Sequence, residues 1–168
     1  MTPAARIAAV IEILADMQVA SAAGTLLGRQ AGQWLRAGLQ RRRYAGSGDR
    51  AAVGDLFWKI QRGRARLGWH LASINAPENP RNSALAALVL MEQKSAALPQ
   101  LFSAEIAHAP APLDDREAAL VAMLETRDFT DPAIPEHIAL EWPEWLMADS
   151  KAGRGDGTAR ELAALMSE

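Results

Sequence analysis

Apolar side chains recur at steps of three and four through the first half of this chain, the spacing that lines one face of an α-helix and that a strand, alternating by two, does not produce. Ile7, Val10, Ile11, Leu14 and Met17 set the pattern. They follow Thr2-Pro3, a capping residue and a proline that loses no needed N–H at the first helical position. The periodicity predicts helices near residues 4–20, 24–39, 49–74 and 83–93 that share one core. The second turns Leu27, Ala31, Trp34 and Leu35 inward. The third is expected to be long and capped by Ser47 or Asp49, with Val53, Leu56, Phe57, Ile60, Leu67 and Leu71 inside and Lys59, Arg62 and Arg66 on a solvent stripe. Composition agrees, because 49% of residues are hydrophobic, mainly Ala and Leu, while aromatics make up only 5%. The fold class read from the sequence is all-α.

Beyond the fourth helix the pattern becomes shorter. Pro77 and Pro80 among asparagines mark residues 75–83 as a loop, after which Asn82 or Ser83 caps the next helix. Leu98, Leu101, Phe102 and Ile106 predict a further helix past Lys94 with Pro99 in its first turn. Residues 108–113 are a Pro-rich connector, and Asp114 with Glu117 three places on forms a capping box for a helix through Leu124. Pro132, Pro135 and Pro143 divide residues 127–150 into short pieces. Residues 151–157 have linker composition, and Thr158 with Glu161 predicts a last short helix to Met166. A chain of 168 residues suits one domain with a real core. That domain is expected over residues 1–126, with 127–168 as a connector and the start of a following region.

Charge is distributed unevenly. Residues 1–81 carry 12 basic and 5 acidic side chains, whereas 82–168 carry 6 and 15, although the whole chain has a net charge of only -2. The basic excess is concentrated between Arg36 and Arg66, where Arg36, Arg41, Arg42, Arg43, Arg50, Lys59, Arg62, Arg64 and Arg66 face two acids, Asp49 and Asp55. Solvated helix faces often carry arginines whose stems cover apolar surface. Three consecutive arginines in a predicted connector have no such role, and loops displaying them suit phosphate contacts. The candidate RNA-binding residues are therefore Arg41, Arg42, Arg43, Arg50, Lys59, Arg62 and Arg66.

Other chemistry finds little footing. There is no cysteine, so disulfides and thiolate metal sites are excluded. His70, His108 and His137 lack metal-ligand spacing. Gly153, Gly155 and Gly157 follow no strand, as a nucleotide loop requires, and Arg154-Gly155-Asp156 reads as a loop. The acid pairs Asp114/Asp115 and Glu141/Glu144 offer no general acid and base, since Asp114 has a capping role and Glu141 lies among surface-like positions. Trp34 and Trp69 read as core, while Trp58 stands between core and a base-stacking role. Arg6, Glu12 and Asp16 interrupt the N-terminal apolar run, so a soluble cytoplasmic protein with no membrane partner is expected.

The run Arg43-Tyr44-Ala45-Gly46-Ser47-Gly48-Asp49-Arg50 continuing through Leu56-Phe57-Trp58-Lys59-Ile60-Gln61-Arg62 resembles the N-terminal domain of Fmu/Sun-type ribosomal RNA methyltransferases. That domain is similar to the antitermination factor NusB, an all-helical RNA-binding fold. Asn82-Ser83-Ala84-Leu85-Ala86-Ala87-Leu88-Val89-Leu90 resembles the family's next helix, and Glu141-Trp142-Pro143-Glu144-Trp145-Leu146 resembles the lead-in to its later domains. The resemblance implies methylation of carbon 5 of a cytosine in small-subunit ribosomal RNA with S-adenosylmethionine. The chain itself lacks the cysteine nucleophile of that reaction and the α/β domain that binds the cofactor. It is accordingly expected to be an N-terminal fragment that holds ribosomal RNA for a C-terminal methyltransferase domain and binds no cofactor itself. The other reading is a helical protein-interaction module that docks a partner, or its own catalytic domain, through the acidic half.

Overall fold

A computed structural model describes residues 1–23, 30–147 and 161. Among these all regular structure is helical, as the periodicity predicts. The elements are α1 (Pro3–Ala22), α2 (Ala31–Gln40), α3 (Ser47–Arg62), α4 (Arg64–Ser73), α5 (Pro80–Leu90), α6 (Leu98–Leu101), α7 (Asp115–Glu125) and α8 (Glu136–Ala139), with a 3₁₀ turn at Ser95–Ala97 before α6. The expected linker at 151–157, the helix to Met166 and the first residues of the expected second helix lie outside the described residues.

The core is organised around α5. Its residues Ala84 to Leu90 are all buried, so the helix has no solvent face over two turns. A helix apolar all round must be surrounded, and α5 packs against α1, α3, α4 and α7. Ile13, Val53, Phe57, Leu67, Leu71 and Leu124 reach it from those neighbours as part of one continuous cluster. Close approach is also built into the α1–α2 crossing. A Cβ at Gly38 would stand 2.3 Å from Ile13 Cγ1, so only glycine fits there.

Two helix starts follow the sequence. Thr2 caps α1 by accepting from Ala5 N at 3.1 Å, and Asp114 and Glu117 form the reciprocal box at α7. Three boundaries need correction. α5 begins at Pro80, not at Ser83, because Asn79 accepts from Asn82 N at 2.8 Å while Asn82 Nδ2 donates to Pro77 O. The helix expected to run on to Ile106 ends at Leu101. Phe102 leaves the helical region at φ -115°, ψ 83° and buries its ring under the Arg81 guanidinium.

The third correction is the largest. The long helix over 49–74 is two helices, broken at Gly63 (φ -102°, ψ 17°). A Cβ at Gly63 would lie 3.0 Å from Phe129 Cζ and 3.3 Å from both Lys59 O and Met91 Cε. The break leaves the first N–H groups of α4 without helical partners. Glu141 supplies them from 75 residues away, its carboxylate accepting from Ala65 N at 2.7 Å and Arg66 N at 3.1 Å. Glu141 is thus a tertiary helix cap and not the surface-like residue its neighbours suggested. It holds φ 56°, a left-handed conformation uncommon for a non-glycine residue, which the docked carboxylate helps to maintain. Residues 127–147 consequently lie on α4, with Ile134 and Met147 buried.

Two substitutions test this core. Leu88→Asp is expected to lose about 3 kcal/mol or more of stability, since it buries an unpaired charge. Gly38→Ala is expected to cost about 1–3 kcal/mol through overpacking against Ile13. Chemical denaturation of both variants measures these losses, and parental midpoints in both would contradict the packing described.

Candidate nucleic-acid interface

The nine basic residues between Arg36 and Arg66 fold into different roles. Arg42 is the most buried, at 8% exposure, donating Nη1 to Gly38 O at 2.8 Å and Nη2 to the Glu12 carboxylate. It ties the end of α2 to α1. Arg41 donates to Asp16, one turn beyond Glu12 on α1, yet keeps 60% of its side chain exposed. Arg50 reaches back to Ala45 O at 3.0 Å and supports the α2–α3 connection. Lys59 pairs with Glu92, and Lys94 with the same carboxylate at 2.8 Å. Those hydrogen bonds, Lys59's first, hold the Glu92 carboxyl below its ordinary range. Arg64 pairs with Glu78 at 3.3 Å. Arg66 donates to Glu141 at 3.0 Å and lies 4.2 Å from the Phe129 ring centroid.

Arg36, Arg43 and Arg62 are exposed, and none of them has a carboxylate partner among the described residues. Arg36 and Gln40 are one turn apart on α2, and Arg43 lies in the turn that follows it, beside Gln40. Arg41 joins them through the shape of the surface. It stands between two open hollows, one lined by Asp16, Trp34, Ala37, Gln40 and Arg43, the other by Glu12, Arg42, Tyr44, Arg81 and His108. Tyr44 is 67% exposed and Trp34 half-buried. Arg81 is already engaged through Nε and Nη2, which donate to both Glu117 oxygens and to Ala111 O and Pro112 O.

Of the seven candidates, then, the fold brings together Arg41, Arg42 and Arg43, while Arg50, Lys59, Arg62 and Arg66 line neither hollow. Arg66 does not share the Lys59–Arg62 stripe, because the Gly63 break places it on a separate helix facing Glu141. One contributor was not among the candidates: Tyr44 is signalled only by its place directly after three arginines. Arg36, counted in the basic cluster but not singled out, is exposed on α2 and lines neither hollow.

The aromatic expectations also divide. Trp34 and Trp69 are half-buried, and Trp58 is 36% exposed, packed edge-on to Phe57 with its ring across Gly32. The histidines are dispersed, and the described residues hold no cluster of His, Asp or Glu suited to a metal ion. No helix among them is long and apolar enough to cross a membrane. No protein-family model, curated protein or solved structure matches the chain.

Arg42 and Arg43 therefore separate structural from available charge. Arg42→Ala is expected to lower stability by about 2 kcal/mol, since it orphans Gly38 O and removes a buried stem. Arg43→Ala is expected to change it by no more than about 0.5 kcal/mol. Parallel urea titrations distinguish them, and equal midpoints would contradict the roles assigned.

Proposed function

We propose that this chain is a NusB-like RNA-binding domain that holds single-stranded or looped RNA on the surface around Arg41. The observation that carries the reading is the interleaving there of cations and rings: Arg41 and Arg43 with Trp34 and Tyr44, along two adjoining hollows, with the exposed Arg36 elsewhere on α2. Proteins that bind single strands combine a positive track for the backbone with aromatic faces on which bases stack. Phosphate contacts position the strand without reading its sequence. Arg41 takes part by exchanging Asp16 for a phosphate, an exchange that costs little because exposed ion pairs contribute at most about 1 kcal/mol.

The kind of RNA and the larger setting rest on the resemblance of residues 43–62, 82–90 and 141–146 to Fmu/Sun-type enzymes. In this reading the domain presents small-subunit ribosomal RNA to a methyltransferase domain. That second domain supplies S-adenosylmethionine binding, the cysteine nucleophile and the choice of cytosine. Arg42, Arg50, Lys59 and Arg66 support the domain's structure, and Arg62 adds long-range attraction for the polyanion.

Titration with a small-subunit ribosomal RNA hairpin at several salt concentrations tests the proposal. Replacing Arg36, Arg41 and Arg43 together by alanine is expected to weaken binding to many RNAs alike. It should also flatten the slope of log K against log salt by about 2, at ~0.7 per phosphate contact on a single strand. Tyr44→Ala is expected to cost about 1–3 kcal/mol with little change in slope. Parental affinity in the triple variant, or binding indifferent to salt, would favour the protein-interaction reading.

A further inference from the structure

His70 is fully buried in α4, and neither Nδ1 nor Nε2 makes a hydrogen bond of acceptable geometry. Buried imidazoles usually satisfy at least one nitrogen. This one instead sits in an aromatic sandwich. Phe129 stacks on it with centroids 6.4 Å apart and planes at 25°, while Trp69 meets it edge-on at 5.0 Å. Phe129 belongs to residues 127–147, the segment held on α4 by Glu141, and its ring also fills the space over Gly63 and under Arg66. His70 is thus at the contact between α4 and a segment whose docking rests on few polar anchors.

We propose that protonation of His70 releases residues 127–147 from α4, making their docking pH-dependent. An imidazolium at this position would be buried between the Phe129 and Trp69 rings, on a helix packed against α5, whose residues Ala84 to Leu90 are buried and apolar. Burial accordingly holds the imidazole below its ordinary value. Charged groups of both signs surround it. Arg127, anchored to Ser73 Oγ at 2.7 Å, disfavours the imidazolium; the Phe129 backbone, Asp131 and Asp128 favour it. His137 and Glu136 of α8 and Glu141 complete the charged groups of the docked segment near α4. Asp128 is itself held low, first by hydrogen bonds from Thr130 N and Oγ1, so it stays an anion through mildly acidic conditions.

The sign of the effect follows from linkage. The docked state has the lower affinity for the proton, so docking is strongest above the ordinary histidine value of about 6.5 and weakens as pH falls below it. One proton is taken up on release, so the docked-to-released ratio falls by up to about tenfold per pH unit until the docked imidazole itself titrates. This inference does not depend on the RNA-binding reading.

NMR on the full chain between about pH 7.5 and pH 5.0 tests it, a range in which unperturbed carboxylates remain ionised. Amide signals of residues 128–147 are expected to shift together with the His70 ring as pH falls, while α1 and α5 stay unchanged. In His70→Phe, which keeps a ring beside Phe129 but cannot be protonated, the response of residues 128–147 should vanish. Three results would overturn the proposal: His70 titrating while those amides stay fixed, the same response persisting in His70→Phe, or α1 and α5 melting at the same midpoint. Should His70→Phe not fold, the parental ring and amide titrations decide alone.

Discussion

The burial of α5 on every side is the constraint from which the rest of the structure follows. Seven successive residues, Ala84 to Leu90, are removed from water. At about 25 cal/mol per Å² of apolar surface such a helix gains a great deal by being enclosed, and it is a liability if any neighbour is missing. The alanines at 84, 86 and 87 let neighbouring helices approach closely, and the leucines and valine between them fill the remaining space. The polar ends are handled locally, by Asn79 at the N-terminus and by Glu92 N and Lys94 N turning back to Ala87 O and Leu88 O at the C-terminus. Breaking α3 from α4 at Gly63 allows two helices, with different directions, to cover the same central one.

That enclosure also sorts the basic residues. Bringing α2 against α1 places Arg41 and Arg42 over Asp16 and Glu12, acids remote in sequence that the local charge balance does not reveal. Docking residues 127–147 on α4 places Glu141 on Arg66, and the turn after α5 places Glu92 on Lys59. A segment with a large formal excess of positive charge therefore presents a smaller set of cations to a ligand. Arg36, Arg43 and Arg62 remain, and Arg41, held by an exposed partner, lies with Arg43 along the hollows beside Trp34 and Tyr44.

Much of the fold was legible because it is written locally. The Thr2-Pro3 start, the Asp114–Glu117 box and the three-four stripe of α1 each involve residues within one or two turns, and each is present in the structure. What escaped is nonlocal. The apolar positions on either side of Gly63 fit one continuous helix as well as two, and only the Phe129 ring and the Glu141 cap, both distant in sequence, decide between them. Phe102 ends α6 early for the same kind of reason, the burial of its ring beneath Arg81. In the candidate interface, sequence located the arginine run but not its internal partners. Whether an arginine binds a carboxylate of its own chain depends on the helix packing, which no short window contains.

The surface around Arg41, and not the acidic half, is the proposed meeting place with RNA. Its most direct test is NMR mapping of an isotopically labelled chain titrated with a small-subunit ribosomal RNA hairpin at low salt. Shifts are expected to concentrate on residues 34–44 and the Tyr44 ring and to fade as salt is added. Shifts centred on α7, with residues 34–44 unmoved, would contradict it.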